Sequence, residues 1–249
     1  MSVRPDDHLL AARIAQTAGR LLVEVRQRAV NEKLAAADLK DLGDRAAHEA
    51  IVEALAAERP DDAVLSEEGA DDQARLTAER VWIVDPLDGT REFSEPPRSD
   101  WAVHIALVIA GRPEVGAVAL PADNVVFATP TVTLAPPSEQ APRVIVSRTR
   151  RPPAAQRLAS ELNAAYIEMG SAGAKAMAVV RGEADIYAHS GGQYEWDSAA
   201  PAAVASAAGL HVSRLDGSPL VYNNPDPYLP DLLICRPEWA ERSLEILNR

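Results

Sequence analysis

A mixed chain, α+β in its first half and α/β in its second, is the fold class the sequence predicts, and three observations carry it. Two segments near the N-terminus repeat apolar residues at spacings of three and four. Residues 101–134 break instead into short apolar runs separated by turns, the pattern of an antiparallel sheet. From residue 144 onward, short apolar runs alternate with helical patterns. With 249 residues and 47% hydrophobic content the chain supports one large domain or two intimate smaller ones. We divide it into an N-terminal α+β subdomain over 1–135, a proline-rich connector over 136–142 and a C-terminal α/β subdomain over 143–249.

In chain order, Leu10, Ile14, Ala18, Leu21 and Val25 line one face of a helix over residues 7–28, with Asp6 or Asp7 as its cap. A second helix is predicted over 44–59, carrying Ala47, Ile51, Ala54 and Leu55 on one face and stopped by Pro60. Asp44 stands at its start, either as an N-cap or facing a pocket. Residues 63–66 form a short apolar run, 70–80 include a short helix, and 81–84 read as a buried strand. Strands follow at 101–109, 115–120, 125–127 and 132–134. The second half gives strands at 144–147, 166–167, 185–188 and 232–235, with helices at 153–162, 173–180, 198–208 and from 238.

Charge and cysteine content narrow the function. A net charge of −12 repels nucleic-acid backbone and anionic membrane, so neither is an expected partner. A phosphorylated small molecule remains compatible if metal cations neutralise its pocket. The single cysteine, Cys235, sits in an apolar run and reads as a reduced core thiol. No apolar stretch has the length of a signal or membrane-spanning segment, so a soluble, cytoplasmic protein is expected. Homodimerisation is compatible with this composition and is not demanded by it.

The chemistry concentrates where the run Val81-Trp82-Ile83-Val84 ends in Asp85-Pro86-Leu87-Asp88-Gly89-Thr90. Pro86 and Gly89 predict a sharp turn, on which Asp85 and Asp88 point into one pocket while the Gly89 and Thr90 amides open a short helix able to receive an anion. Alone, this is also an ordinary surface turn. Two further acidic clusters change the reading: Ser66-Glu67-Glu68 ends the preceding apolar run, and Glu195-Trp196-Asp197-Ser198 precedes an alanine-rich helix. Hard carboxylate oxygens from three segments suit magnesium, which keeps several waters and is rarely caged by protein alone.

These three motifs together resemble the magnesium-dependent, lithium-sensitive phosphatase superfamily that includes inositol monophosphatases, fructose-1,6-bisphosphatases and 3'-phosphoadenosine-5'-phosphate phosphatases. The resemblance implies a layered α-β-α-β-α sandwich with the active site at the junction of its halves. It implies two or three Mg2+ ions: Glu67, Asp85 and the Leu87 carbonyl hold one, while Asp85, Asp88 and Asp197 hold a second, so that Asp85 bridges. Thr90 then orients the attacking water, assisted by Glu67 or Asp44, and Lys33 and Asp44 share the spacing of a further metal site. Inhibition by lithium is a family expectation.

Further details resemble the bisphosphate nucleotidases of sulfur assimilation. Arg91-Glu92-Phe93 follows the aspartate motif, Ser147-Arg148-Thr149-Arg150 matches their Ser-Arg-rich segment except for arginine in place of histidine, and Gly217-Ser218-Pro219-Leu220-Val221-Tyr222-Asn223 matches their C-terminal segment. A nucleotide phosphorylated at 3' and 5' needs a cationic contact away from the metals, for which Arg148, Arg150 and Lys175 are candidates. Gly89, Thr90 and Asp197 are expected at the scissile phosphate. Of five scattered histidines, read as surface or packed residues, His189 alone is singled out, in a small-residue loop where base or ribose approaches, and Trp196 is a candidate stacking surface. The expected reaction is 3'-dephosphorylation of 3'-phosphoadenosine 5'-phosphate to AMP, with action on the sulfated analogue expected as well. Inositol monophosphatase or fructose-1,6-bisphosphatase activity is the alternative, and a non-catalytic metal- or phosphate-binding regulator is a third reading.

Overall fold

The computed structural model describes residues 2–137 and 141–249. Helix α1 spans Asp7–Glu32 and α2 spans Ala36–Glu58. The first sheet is built from β1 (Ala63–Ser66), β2 (Arg80–Asp88), β3 (Ala102–Ile109), β4 (Arg112–Leu120) and β5 (Val125–Ala128), in that order. β1 and β2 run parallel and the later pairs antiparallel. A one-turn helix, α3 (Thr90–Phe93), follows β2. The second half contains β6 (Arg143–Ser147), α4 (Pro153–Leu162), β7 (Ala165–Met169), α5 (Ala172–Val180), β8 (Ile186–Tyr194), α6 (Glu195–Ala207), β9 (His211–Ser213), β10 (Tyr228–Cys235) and α7 (Pro237–Leu247). Its sheet has the order β7-β6-β8-β10-β9.

Alternation along β2 explains the layering. Trp82 and Val84 join the cluster formed with Leu10, Ile14 and Leu22 of α1 and Ile51 and Leu55 of α2. Val81 and Ile83 point the other way, into a cluster with Met177 and Val179 of α5, Val204 of α6, and Ile145, Tyr187 and Leu232 of the second sheet. The far face of that sheet, including Val144, Ile186 and Leu233, packs on Leu158 of α4 and Ile246 of α7. The result is the expected α-β-α-β-α order: α1 and α2, first sheet, α5 and α6, second sheet, α4 and α7. Both sheets are covered on both faces, so β2 is buried along its whole length.

Several local expectations are corrected. Asp6 occupies the N-cap of α1 without a side-chain cap, its carboxylate paired with Arg59 at 2.9 Å, while Asp7 is drawn inward by Arg59 and Arg80 and accepts from the Arg4 amide. Leu22 rather than Leu21 lies in the buried stripe. α2 begins at Ala36, so Asp44 is an interior helical residue and no N-cap; the buried series Leu39, Gly43, Ala47, Ile51, Leu55 extends the stripe back past it. β2 does not turn sharply at Pro86 but continues to Asp88 through a register irregularity between Asp85 and Asp88. Residues 132–134 form no strand; Ala135 donates to the Val180 carbonyl. The proposed 136–142 connector includes 138–140, outside the described residues. His189 to Gln193 belong to β8, paired with β10, and are not a loop. Cys235 is fully buried on β10, which pushes its thiol up to about 12. No helix among the described residues is long and apolar enough to cross a membrane.

Candidate active site

Residues 81, 83 and 85 share one face of β2, so the alternation that buries Val81 and Ile83 against the central helices aims Asp85 at the same layer. There the irregularity before Asp88 and the N-terminal turn of α6 bring Asp85, Asp88 and Asp197 together, with one ligand oxygen from each lying within 4.8 Å of the others. Asp85 is 1% and Asp88 7% exposed. Asp85 Oδ1 accepts from the Leu87 amide at 3.0 Å. Asp197 Oδ2 accepts from the Tyr194 amide at 2.7 Å. Asp88 Oδ2 accepts from Ser171 Oγ at 2.5 Å and the Gly173 amide at 2.7 Å. Each aspartate has one oxygen held by these protein donors.

Electrostatics separate the acids. Burial, then the charges of Glu67, Asp88 and Asp197, raises Asp85 well above the usual carboxylate range. Burial and the charge of Asp88 push Asp197 up to about 7. The Glu67 residue is largely open to solvent, but its carboxyl end is crowded into the acidic pocket; desolvation there, with Asp88, Glu68 and Asp44 nearby, pushes it up to about 7 against the effect of a hydrogen bond with Asp85. Burial also raises Asp44, to about 6, helped by Glu68. Asp88 goes the other way: burial is outweighed by the charge and contact of His104, the charge of Lys175 and the Ser171 hydroxyl, which hold it well below the usual range. A buried cluster of repelling carboxylates with oxygens to spare is the donor set of a hard divalent cation, and these residues fit one.

The other site residues are placed as follows. Gly89 adopts φ 85° and starts α3, a left-handed conformation that a side chain would strain. Thr90 Oγ1 lies 3.0 Å from the Leu87 carbonyl and 3.3 Å from Asp44 Oδ1, so Asp44 reaches the site from the middle of α2. Arg148 is not a free phosphate ligand: its Nε donates to Glu92 at 2.5 Å and its Nη2 to Glu95 at 2.8 Å. Lys175 does not extend toward solvent as a flexible cation; it is 5% exposed, with Nζ donating to the Ser171 carbonyl at 2.5 Å and lying 5.4 Å over the Tyr187 ring. Burial lowers its pKa against the pull of Asp88 and Asp197. Arg150 is exposed and reaches His189 Nε2 at 3.1 Å and the Gly191 carbonyl at 2.5 Å. His189 is buried and pushed down to about 4 by desolvation. Trp196 stacks on Tyr194, with ring centroids 4.8 Å apart.

Sequence reasoning misses His104, and it reads Ser171 only as part of a helix start or phosphate cradle over residues 170–175, whereas its hydroxyl donates to Asp88. His104 was grouped with the scattered histidines, although a lone titratable residue within the apolar run of β3 was the available signal. Its ring stands fully buried beside Asp88 and Asp85.

A pH prediction follows from the raised acids. A raised carboxyl keeps its proton in the folded chain after unfolded carboxyls, near about 4, have lost theirs, so it contributes stability that falls as pH rises. His189, pushed down, acts oppositely below about 6.5, so the window is pH 6.5 to 8. There Asp85, Asp197 and Glu67 outnumber the opposing Lys175. The chelated protein is expected to melt lower at pH 8 than at pH 6.5, by about 2–4 °C for each kcal/mol lost, and excess magnesium to abolish the difference. Calorimetry at the two pH values, with and without chelator, checks this.

Residues 7–248 match the inositol monophosphatase family, and the chain belongs to it. It is similar to the 3'-phosphoadenosine 5'-phosphate phosphatase of Mycobacterium leprae, 52% identical over 255 residues that cover 97% of this chain and 93% of the relative. It is also similar to the 3'(2'),5'-bisphosphate nucleotidase CysQ of Escherichia coli, 32% identical over 83% of this chain and 86% of the relative. Among solved structures, CysQ from Bacteroides thetaiotaomicron, a bacterial member of the inositol monophosphatase family, superposes with a TM-score of 0.78 at 28% identity, covering 93% of this chain and 97% of that one.

Proposed function

We propose that the chain is a magnesium-dependent phosphomonoesterase that removes the 3'-phosphate of 3'-phosphoadenosine 5'-phosphate, giving AMP and phosphate. The observation that carries the reading is the convergence of Asp85, Asp88 and Asp197 in a buried pocket. The two relatives named for nucleotide substrates favour this ester over inositol or sugar phosphates. Two or three magnesium ions and sensitivity to lithium belong to the same reading.

Magnesium, when bound, neutralises phosphate oxygens and lowers the pKa of a coordinated water. Asp85, Asp88 and Asp197 would hold it, with Glu67 and the Leu87 carbonyl as further oxygen donors. Thr90 Oγ1 orients the attacking water, and Asp44, 3.3 Å from that hydroxyl, takes up the proton relayed through it. The bond from phosphorus to the ribose 3' oxygen breaks as the bond to water oxygen forms, and the leaving alkoxide takes a proton from solvent. Of the three candidate cations Arg150 is the exposed one, held by a histidine ring and a backbone carbonyl rather than by carboxylates, and it is assigned to the 5'-phosphate.

Thr90→Ala is expected to slow turnover by about 100-fold, the usual scale for losing one proton-handling group, while Mn2+ affinity stays within about twofold because no ligand carboxylate changes. Parent-like turnover would remove Thr90 from the mechanism. The substrate assignment is tested by phosphate release from 3'-phosphoadenosine 5'-phosphate, inositol 1-phosphate and fructose 1,6-bisphosphate in parallel. Preference for the nucleotide supports it, preference for inositol phosphate overturns it while keeping the cation site, and release from none restores the non-catalytic reading.

A further inference from the structure

His104 lies directly opposite Asp85 in the register of β2 and β3, on the face of the first sheet that meets α5 and α6. Its ring is 0% exposed. Nδ1 lies 3.0 Å from the backbone carbonyl of Trp196, the residue before Asp197. A carbonyl only accepts, so Nδ1 carries a hydrogen. Nε2 stands 3.2 Å from Asp88 Oδ2, an ion-pair contact, and makes no hydrogen bond among the described residues, while Nδ1 is 3.9 Å from Asp85 Oδ2. One rigid ring therefore touches both segments that supply the three aspartates, the end of β2 and the first turn of α6.

α5 is shaped around this ring. A Cβ on Gly173 would fall 2.1 Å from Nε2, so only glycine leaves room for the imidazole there. The Gly173 amide and the Ser171 hydroxyl donate to the same Oδ2 that Nε2 approaches. Oδ2 of Asp88 is thus enclosed by protein on every side described, and Oδ1 is left for a cation.

We infer that His104 is a positioning residue for the cation site: it spans from Asp88 to the Trp196 carbonyl and so sets the separation of Asp88 and Asp197 across which the cation is held. The inference rests on the proposed role of these aspartates as cation ligands. His104 touches no substrate; it acts by orienting ligands, the part played by groups hydrogen-bonded behind a metal's own donors.

The test separates the two contacts. His104→Asn places its amide nitrogen near the position of Nδ1, keeping the tie to Trp196 and releasing Asp88. His104→Gln reaches nearer to Nε2 and keeps the contact with Asp88. Mn2+ affinity is read by electron paramagnetic resonance, beside melting in chelator as a measure of fold. The expected result is an affinity about 10–100-fold weaker for His104→Asn, a smaller loss for His104→Gln, and a raised magnesium requirement for turnover with KM for the ester unchanged. Mn2+ affinity of His104→Asn within twofold of the parent overturns the inference.

A measurement on the unsubstituted protein guards against variants that do not fold. The ring nitrogen resonances of His104 are expected to move on adding magnesium, while those of His8 and His211, which contact Thr129 and Ser213, stay in place. A His104 signal unmoved at saturating magnesium overturns the inference as well. A parent that binds Mn2+ yet hydrolyses no ester sinks the proposed function alone, whereas a parent that binds no Mn2+ sinks both.

Discussion

Asp85→Asn is expected to retain less than about 1% of parent turnover and yet to melt higher than the parent when both are stripped of metal at pH 8. The loss exceeds the about 10–100-fold typical of groups that merely support a ligand, because the proposed function makes Asp85 itself a cation ligand. The gain has a separate cause. Asp85 is fully buried beside Glu67, Asp88 and Asp197, and its raised pKa expresses the cost of ionising it there. Asparagine keeps an oxygen to accept from the Leu87 amide and removes the charge. The metal-free variant is therefore expected to melt higher than the parent, by about 2–4 °C for each kcal/mol gained. In saturating magnesium the order reverses, since only the parent gains binding free energy. Parallel calorimetry and phosphate-release assays check both halves. Unchanged metal-free melting would contradict the electrostatic account, and retained turnover would contradict the ligand assignment.

Asp7→Ala is expected to cost about 3 kcal/mol of stability without lowering turnover of the folded enzyme at low temperature. Asp7 is 0% exposed and accepts from Arg59 Nε at 2.9 Å and from Arg80 Nη2 at 3.0 Å. Its removal leaves two buried guanidinium groups short of an acceptor, a change worth about 3–5 kcal/mol when a buried pair is broken. The lower end applies because Arg80 keeps Asp62 at 2.8 Å and Arg59 keeps Asp6 at 2.9 Å. For a chain of this size the melting temperature should fall by about 6–12 °C. Urea denaturation measures the change directly, and a loss under about 1 kcal/mol would show that the remaining acids carry the network alone.

The individual strands and helices were legible because their causes are local. The continuous apolar runs of β2 and β3 mark strands buried on both faces and the four-residue stripe of α1 marks its buried side, while the order of the layers came from the family resemblance. The acid cluster was legible for a similar reason: Asp85 and Asp88 interrupt an apolar strand, and Asp197 opens a helix otherwise made of small residues. What escaped were features set by distant partners. Asp44 resembled a helix start because Asp41, Gly43 and Arg45 hide the buried series that runs through Leu39 and Ala47. Arg148 resembled a free cation until Glu92 and Glu95, more than fifty residues away, came into hydrogen-bond range. Lys175 carries no sign in its neighbours that the Ser171 carbonyl and the Tyr187 ring enclose it. His104 depends on tertiary contact with Trp196 and Gly173, which no spacing along β3 announces.

The central claim, that this pocket removes a 3'-phosphate with the help of a divalent cation, is tested most directly by identifying the product formed from 3'-phosphoadenosine 5'-phosphate. Chromatography of the reaction in magnesium is predicted to show AMP and inorganic phosphate in equal amounts, with formation stopped by chelator and restored by added magnesium. Adenosine 3'-phosphate as the product, or turnover that survives chelation, would contradict the account.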